Sequence, residues 1–250
     1  MLMINSSDWF QSPLGQYLLE REQACFDQMV ADIFGFNAVQ LGMPQVDFLR
    51  KNRIPFHFTA GNEALVQLLT DASHLPLASQ SIDLMVLPHV LEFNANPHQV
   101  LREVERVLMP EGHVLISGFN PWSLWGAWRL ALKSSHDYPW CGKFISLARL
   151  KDWLALLGLE VTASSLCCYA PPINSEGWLN QSRFLEPAGD RWWAMGGGVY
   201  FIQAKKRVHS MRVIMPRWQD KMAREKSLAP ATQQVVNFNT QSQELTENDN

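Results

Sequence analysis

Three residues stand where an apolar run gives way to polar sequence, and their types can do chemistry. Gly42 follows the run Ala38–Leu41, Asp71 opens the stretch Asp71–Leu77, and His89 lies just past the run Ile82–Leu87. A glycine without a Cβ lets the backbone approach a ligand closely. A carboxylate such as Asp71 can accept a hydrogen bond from an amino group, or simply cap the turn it precedes. An imidazole titrates near neutrality, so His89 suits either a general base or the lining of a pocket. Glu92 could pair with Arg102 or face solvent. The other histidines lack metal-ligand spacing. The four cysteines, Cys25, Cys141, Cys167 and Cys168, contain no C-x-x-C, so reduced thiols and no metal site are expected.

These residues need elements to hold them. Apolar positions at helical spacing run through Pro13–Phe34 (Leu14, Leu18, Phe26, Met29, Val30, Ile33), with Gly35 as a stop. Strands are expected at Ala38–Leu41 and Ile54–Phe58, with short helices at Gln45–Asn52 and Glu63–Leu69. Ile82–Leu87 is a near-continuous apolar run, as in a strand covered on both faces. Asn96-Pro97 opens a helix to Leu108 with Val100, Leu101, Val104, Val107 and Leu108 on one face. Pro110-Glu111-Gly112 signals a turn before a strand at His113–Ser117. A helix at Ser146–Leu157 and strands at Leu159–Tyr169 and Val199–Lys205 complete the pattern. Strands alternating with helices imply an α/β fold with a doubly wound, mostly parallel sheet. The last two strands, with no helix between them, imply an antiparallel edge.

Composition excludes several classes. Hydrophobic residues at 47% against 18% charged describe a chain able to bury a core. A net charge of −3 gives no whole-molecule field in favour of nucleic-acid binding, which is not expected. Met1–Asp8 lacks the pattern of a signal peptide, and no apolar run approaches the roughly 20 residues of a membrane span. A cytoplasmic location is expected.

The middle of the chain carries a specific series: Asp71-Ala72-Ser73-His74-Leu75-Pro76-Leu77, Ser81-Ile82-Asp83, His89-Val90-Leu91-Glu92-Phe93, Leu101-Arg102-Glu103-Val104-Glu105-Arg106-Val107-Leu108 and Pro110-Glu111-Gly112. In order and spacing it resembles the class I S-adenosylmethionine (SAM)-dependent methyltransferases, most closely the group of ubiquinone and menaquinone C-methyltransferases. The resemblance covers roughly Ala38 to Ser117. It implies a Rossmann-like sheet of seven strands and SAM as cofactor. Gln40, Gly42, Asp71, Ala72, Leu87 and His89 would bind the cofactor, with Asp71 accepting from the adenine amino group. The catalytic residues stay unassigned. In such sheets ligands lie beyond the carboxyl ends of the strands, where the order reverses.

The same resemblance exposes departures. Gln40 stands where an acid orders the first loop, and Pro44 and Val46 stand where glycines allow close approach. Phe58-Thr59-Ala60 lacks the carboxylate that holds the ribose; Glu63 is the nearest substitute. Two readings follow: a methyltransferase acting on a small apolar or aromatic acceptor, or a methyltransferase-fold binding or scaffold protein without activity.

The expected organisation is a domain over residues 1–206 with a Trp-rich lid at 118–145, a basic extension at 207–226 and a disordered tail at 227–250. In the lid, Trp122, Trp125 and Trp128 recur at intervals of three and would share a face if helical. They could line an acceptor site, seal the core, or, with Arg129 and Lys133, touch a membrane surface. The basic stretch of Lys205, Lys206, Arg207, Arg212, Arg217, Lys221, Arg224 and Lys226 could meet RNA or anionic lipid, or be solvated element ends.

Overall fold

Strand β4 (Ile82–Pro88) shows how this sequence builds its core. Its residues alternate between two hydrophobic clusters. Leu84 and Val86 face one, while Met85 and Leu87 face the other, as a strand buried on both sides requires. The first cluster receives helix α2 (Pro13–Val30) through the row Leu14, Leu18, Phe26 and Val30. The second receives α4 (Pro97–Val107) through Val100, Leu101, Val104 and Val107, and α6 (Leu147–Leu156) through Leu150 and Leu154. Serine hydroxyls fix helix starts: Ser12 Oγ accepts from Gly15 N–H at 3.1 Å, and Ser146 Oγ accepts from Arg149 N–H at 3.4 Å.

The computed structural model describes residues 6–132, 137–181 and 196–208. These belong to a unit spanning Met1–His209. The sheet holds β1 (Asn37–Leu41), β2 (Phe56–Gly61), β3 (Leu68–Leu69), β4, β5 (Leu108–Phe119), β6 (Leu159–Cys167) and β7 (Val199–Lys206), in the order β3-β2-β1-β4-β5-β7-β6. β1 to β5 pair parallel, whereas β7 runs antiparallel between β5 and β6. The order reverses between β1 and β4. Short helices α1 (Ser6–Phe10), α3 (Val90–Phe93), α5 (Leu124–Ala131) and α7 (Glu176–Gln181) complete the described elements.

The expected doubly wound sheet with an antiparallel edge is therefore present. Several local expectations are not. Residues 45–52 form consecutive turns instead of a helix, because side chains take over the backbone there. Asn52 Nδ2 donates to the carbonyls of Val30 and Ile33 at 2.6 and 3.1 Å, and Leu49 N–H donates to Asp47 Oδ1 at 2.9 Å. Residues 63–69 are likewise not helical. Gln67 pairs with Thr59, whose N–H donates to Gln67 Oε1 at 2.6 Å, and this starts the edge strand β3. Pro110-Glu111-Gly112 does not separate β5 from α4. It is a kink inside the strand, with Glu111 at φ 65°.

The tryptophans do not share a face. Ser123 is the N-cap of α5, so Trp122 lies outside the helix and is 80% exposed. Trp125 points inward: its indole N–H donates to Ala170 O at 3.0 Å, and its ring stacks 5.7 Å from Phe119. Trp128 is half-exposed. Lys133, Trp192 and Trp193, the basic residues from Arg212 on, and the tail fall outside the described residues. Among the described residues no helix is long and apolar enough to cross a membrane.

Candidate functional site

Gln40, the last buried polar residue of β1, organises everything at the sheet's reversal point. Its side chain is fully buried. Nε2 donates toward three backbone carbonyls, those of Gly42 (3.1 Å), Met43 (3.0 Å) and Val46 (2.8 Å), and Oε1 accepts from Phe48 N–H at 2.9 Å. An amide can donate and accept at once, whereas a carboxylate can only accept. The loop after β1 therefore turns its carbonyls inward, and the glutamine is the side chain that suits them. Gly42 sits at φ 76°, the left-handed region that favours glycine. Its N–H donates to Ala60 O at 2.8 Å, which holds the loop against the end of β2.

The loop borders a cleft of about 300 Å³ beyond the carboxyl ends of β1, β2 and β4, within the size range of small-molecule sites. Four of the expected site residues meet there: Gly42, Asp71, Ala72 and His89. Two do not line it. Gln40 lies beneath the loop, and Leu87 is fully buried in the core under the β4 tip. Met43 contributes one wall and Pro44 none, so neither fills the space. Asp71 Oδ1 accepts from Ser73 N–H at 2.9 Å, which makes the residue a turn cap as well as a wall of the cleft. The loop that carries it is tied down by Arg106, whose guanidinium donates to the carbonyls of Leu75 (3.0 Å) and Leu77 (2.9 Å).

Glu63, the acid nearest the end of β2, brings a carboxylate to the cleft. It lines the cleft two residues past Gly61, and its Oε2 accepts from Gln45 Nε2 at 2.9 Å. The opposite wall is aromatic: Phe10 of α1, Phe93 of α3 and Tyr138. Tyr138 stacks on Phe93 (4.8 Å, 22°) and tilts against Phe10 at 5.1 Å. Burial, then the nearby Glu22 and Glu92, push the Tyr138 phenol well above its usual pKa, so this wall stays neutral.

His89 closes the floor. Its backbone is left-handed (φ 53°), and its buried ring lies between two buried carboxylates. Nε2 meets Glu22 Oε1, and Nδ1 meets Glu92 Oε2 at 2.7 Å. The other Glu92 oxygen accepts from Phe119 N–H, and the Phe119 ring stacks on the imidazole at 4.1 Å. With a carboxylate at each ring nitrogen, both nitrogens carry protons. Burial alone would lower the imidazole pKa, but Glu22 and Glu92 outweigh it and hold it at about 10. Burial pushes the Glu92 carboxyl up, against the pull of His89 and the Phe119 N–H. A general-base role for His89 therefore fails, since neither nitrogen is free to take a proton.

Sequence reasoning missed Glu22 and the aromatic wall. A signal for Glu22 existed: it stands in the row Leu14, Leu18, Glu22, Phe26, Val30, an acid at an apolar position of α2. Nothing in sequence brings Phe10, Phe93 and Tyr138 together. Among the described residues no group of three or more His, Cys, Asp or Glu could hold a metal ion.

Comparison with known proteins adds to this geometry. Residues 43–116 match the family described as a methyltransferase domain. The chain is similar to the uncharacterized protein YafS of Escherichia coli (strain K12), at 30% identity over 159 residues, 63% of this chain and 66% of that protein. It is also 30% identical over 98 residues to the biotin biosynthesis bifunctional protein BioHC of Teredinibacter turnerae, covering 38% of this chain and 16% of that one. The matches thus span less than two thirds of the length of either relative. Among solved structures, a SAM-dependent methyltransferase from Thermotoga maritima superposes with a TM-score of 0.57 at 16% identity, covering 76% of this chain and 93% of that one. At that identity the likeness is one of fold.

Proposed function

We propose that this chain, a class I methyltransferase by its domain match and its fold, moves the methyl group of SAM to a small apolar or aromatic acceptor. The observation that carries the reading is the cleft at the sheet's reversal point. It joins the close-approach glycine Gly42, the carboxylates Glu63 and Asp71, and a wall of Phe10, Phe93 and Tyr138.

The donor set suits an adenosyl group. Asp71 keeps Oδ2 free of any partner among the described residues, as an acceptor for an amino group. Glu63 stands where ribose hydroxyls would need an acceptor. Bound SAM supplies an electrophilic methyl group on a sulfonium. The chain's own part is binding and orientation: Glu63 and Asp71 hold the polar end, and the aromatic wall seats the acceptor and excludes water. Holding two reactants in line can supply much of such a rate enhancement, which fits a site where His89 keeps its proton. The reading of an inactive scaffold drew its support from the loop at 40–46. Gln40 holds that loop open beside the cleft, so the departures there no longer favour it.

The test is isothermal titration of the whole chain with SAM and with S-adenosylhomocysteine. Micromolar binding is expected, weakened at least tenfold by Asp71→Ala, the loss of one hydrogen bond to a charged group at about 1.5–3 kcal/mol, and several-fold by Glu63→Gln, which keeps an acceptor oxygen but loses its charge. No heat of binding at millimolar ligand would remove the proposal.

A further inference from the structure

Helix α5 carries its polar and apolar residues the wrong way round for a surface helix. Its one charged side chain, Arg129, turns toward the protein, where the guanidinium lies 5.0 Å over the Phe144 ring and Nε donates to Trp140 O at 3.2 Å. The residues left exposed are Leu124, Ala127, Trp128, Leu130 and Ala131, all of them apolar. Trp122 before the helix and Leu132 after it continue the exposed apolar surface. A helix that is apolar all round is ordinarily buried, and a contiguous exposed apolar patch marks a binding surface. The helix is firmly seated. Trp125 is buried with its indole N–H on Ala170 O, and a Cβ at Gly126 would lie 2.1 Å from Pro121 O.

Charge selects the occupant. Between Glu111 and Asp137 the sequence holds no acidic residue but does hold Arg129 and Lys133, in a chain whose net charge is −3. A segment that is apolar, basic and free of acids complements an anionic lipid surface. A second copy of the chain suits it less well. A two-fold contact sets a patch against itself, so the basic residues would meet their like with no acid from this segment to answer them.

We propose that Trp122 and α5 form a docking surface for an anionic lipid bilayer, with Trp122 and Trp128 seated at the level of the headgroups, where indole rings are favoured. The Trp125 ring lies 5.9 Å from that of Trp140, in the loop that also carries Tyr138 of the cleft's aromatic wall. The docked face and that wall thus share one support. Docking does not depend on the cofactor reading and is tested without SAM.

The experiment is co-sedimentation of the whole chain with vesicles of equal parts phosphatidylcholine and phosphatidylglycerol, and with vesicles of phosphatidylcholine alone. Wild type is expected to bind the mixed vesicles, and the neutral ones about fivefold less for each basic residue that reaches the surface. Trp122→Ala and Trp128→Ala should each lower partitioning about fivefold, through loss of a ring partly buried in the interface. Trp128→Phe should restore most of that loss. Leu156→Ala, at an exposed leucine of α6, should leave binding unchanged. Circular dichroism checks that each variant is folded. No binding by folded wild type, equal binding to the two kinds of vesicle, or a loss with Leu156→Ala as large as with Trp128→Ala overturns the inference. A dimer in sedimentation that Trp128→Ala dissociates also overturns it, and gives the face to a second copy.

Discussion

Replacing Gln40 by glutamate puts back the residue type that the wider methyltransferase pattern carries, and the geometry says it should do harm. The amide nitrogen lies 3.1, 3.0 and 2.8 Å from three carbonyl oxygens. A carboxylate oxygen in that place removes two N–H donors and sets a negative charge against three negative dipole ends. Each buried acceptor left unsatisfied costs about 1–3 kcal/mol. Two such losses, partly relieved by loop movement, amount to about 3 kcal/mol. For a domain of this size that is a drop in Tm of roughly 6–12 °C. Gln40→Met loses the donors without adding the charge and should fall between wild type and Gln40→Glu. A second signature comes from pH. The new carboxyl would be held protonated in the folded state, so its folded pKa would exceed its unfolded one. The penalty should then shrink as pH falls from 7 toward about 5, because a protonated carboxyl can donate to one carbonyl. Thermal unfolding of the three proteins at pH 5 and pH 7 reads both effects. A Gln40→Glu protein as stable as wild type, or a penalty indifferent to pH, would refute the account of this loop.

Other outcomes follow from the same contacts. His89 is charged up to about pH 10 in the folded chain, against about 6.5 when unfolded. A raised folded pKa gives stability that is fully present below about pH 6.5 and lost as pH rises toward 10, at most about 5 kcal/mol. Wild type should therefore lose Tm steeply between pH 7 and 10, and His89→Gln should have a flatter profile over that window. Trp125→Ala empties a fully buried ring site and should cost about 3–5 kcal/mol in a denaturant titration. Trp122→Ala, at an exposed position, should stay within about 0.5 kcal/mol of wild type. Arg106→Lys keeps the charge but cannot reproduce the fork that reaches the carbonyls of Leu75 and Leu77. It should loosen the Asp71 loop and weaken nucleoside binding a few-fold with a small change in Tm.

Much of this fold was legible because periodicity is a local signal. The stripe Val100, Leu101, Val104, Val107 and the two-faced run Ile82–Leu87 each appear in sequence as they appear in space. Asp71 and His89 were placed at the cleft by the motif around them. What escaped was chemistry that depends on distant or directional contacts. Glu22 meets His89 across 67 positions. The turns at 45–52 depend on Asn52 and Asp47 competing with the backbone for its own partners. Gln40 stands out in sequence as the wrong residue type. It becomes the right one only once the inward-facing carbonyls of the loop are seen.

The margins of the sheet bear on how the chain behaves in a crowded solution. On one side β3 is two residues long. On the other, β6 shifts register between Val161 and Ala163 and turns Thr162, Ala163, Ser164 and Ser165 to solvent. Strand edges that are brief, bulged or hydrophilic are poor templates for a neighbouring molecule. Along β6, therefore, the described sheet offers a poor template for extension by another copy of the chain.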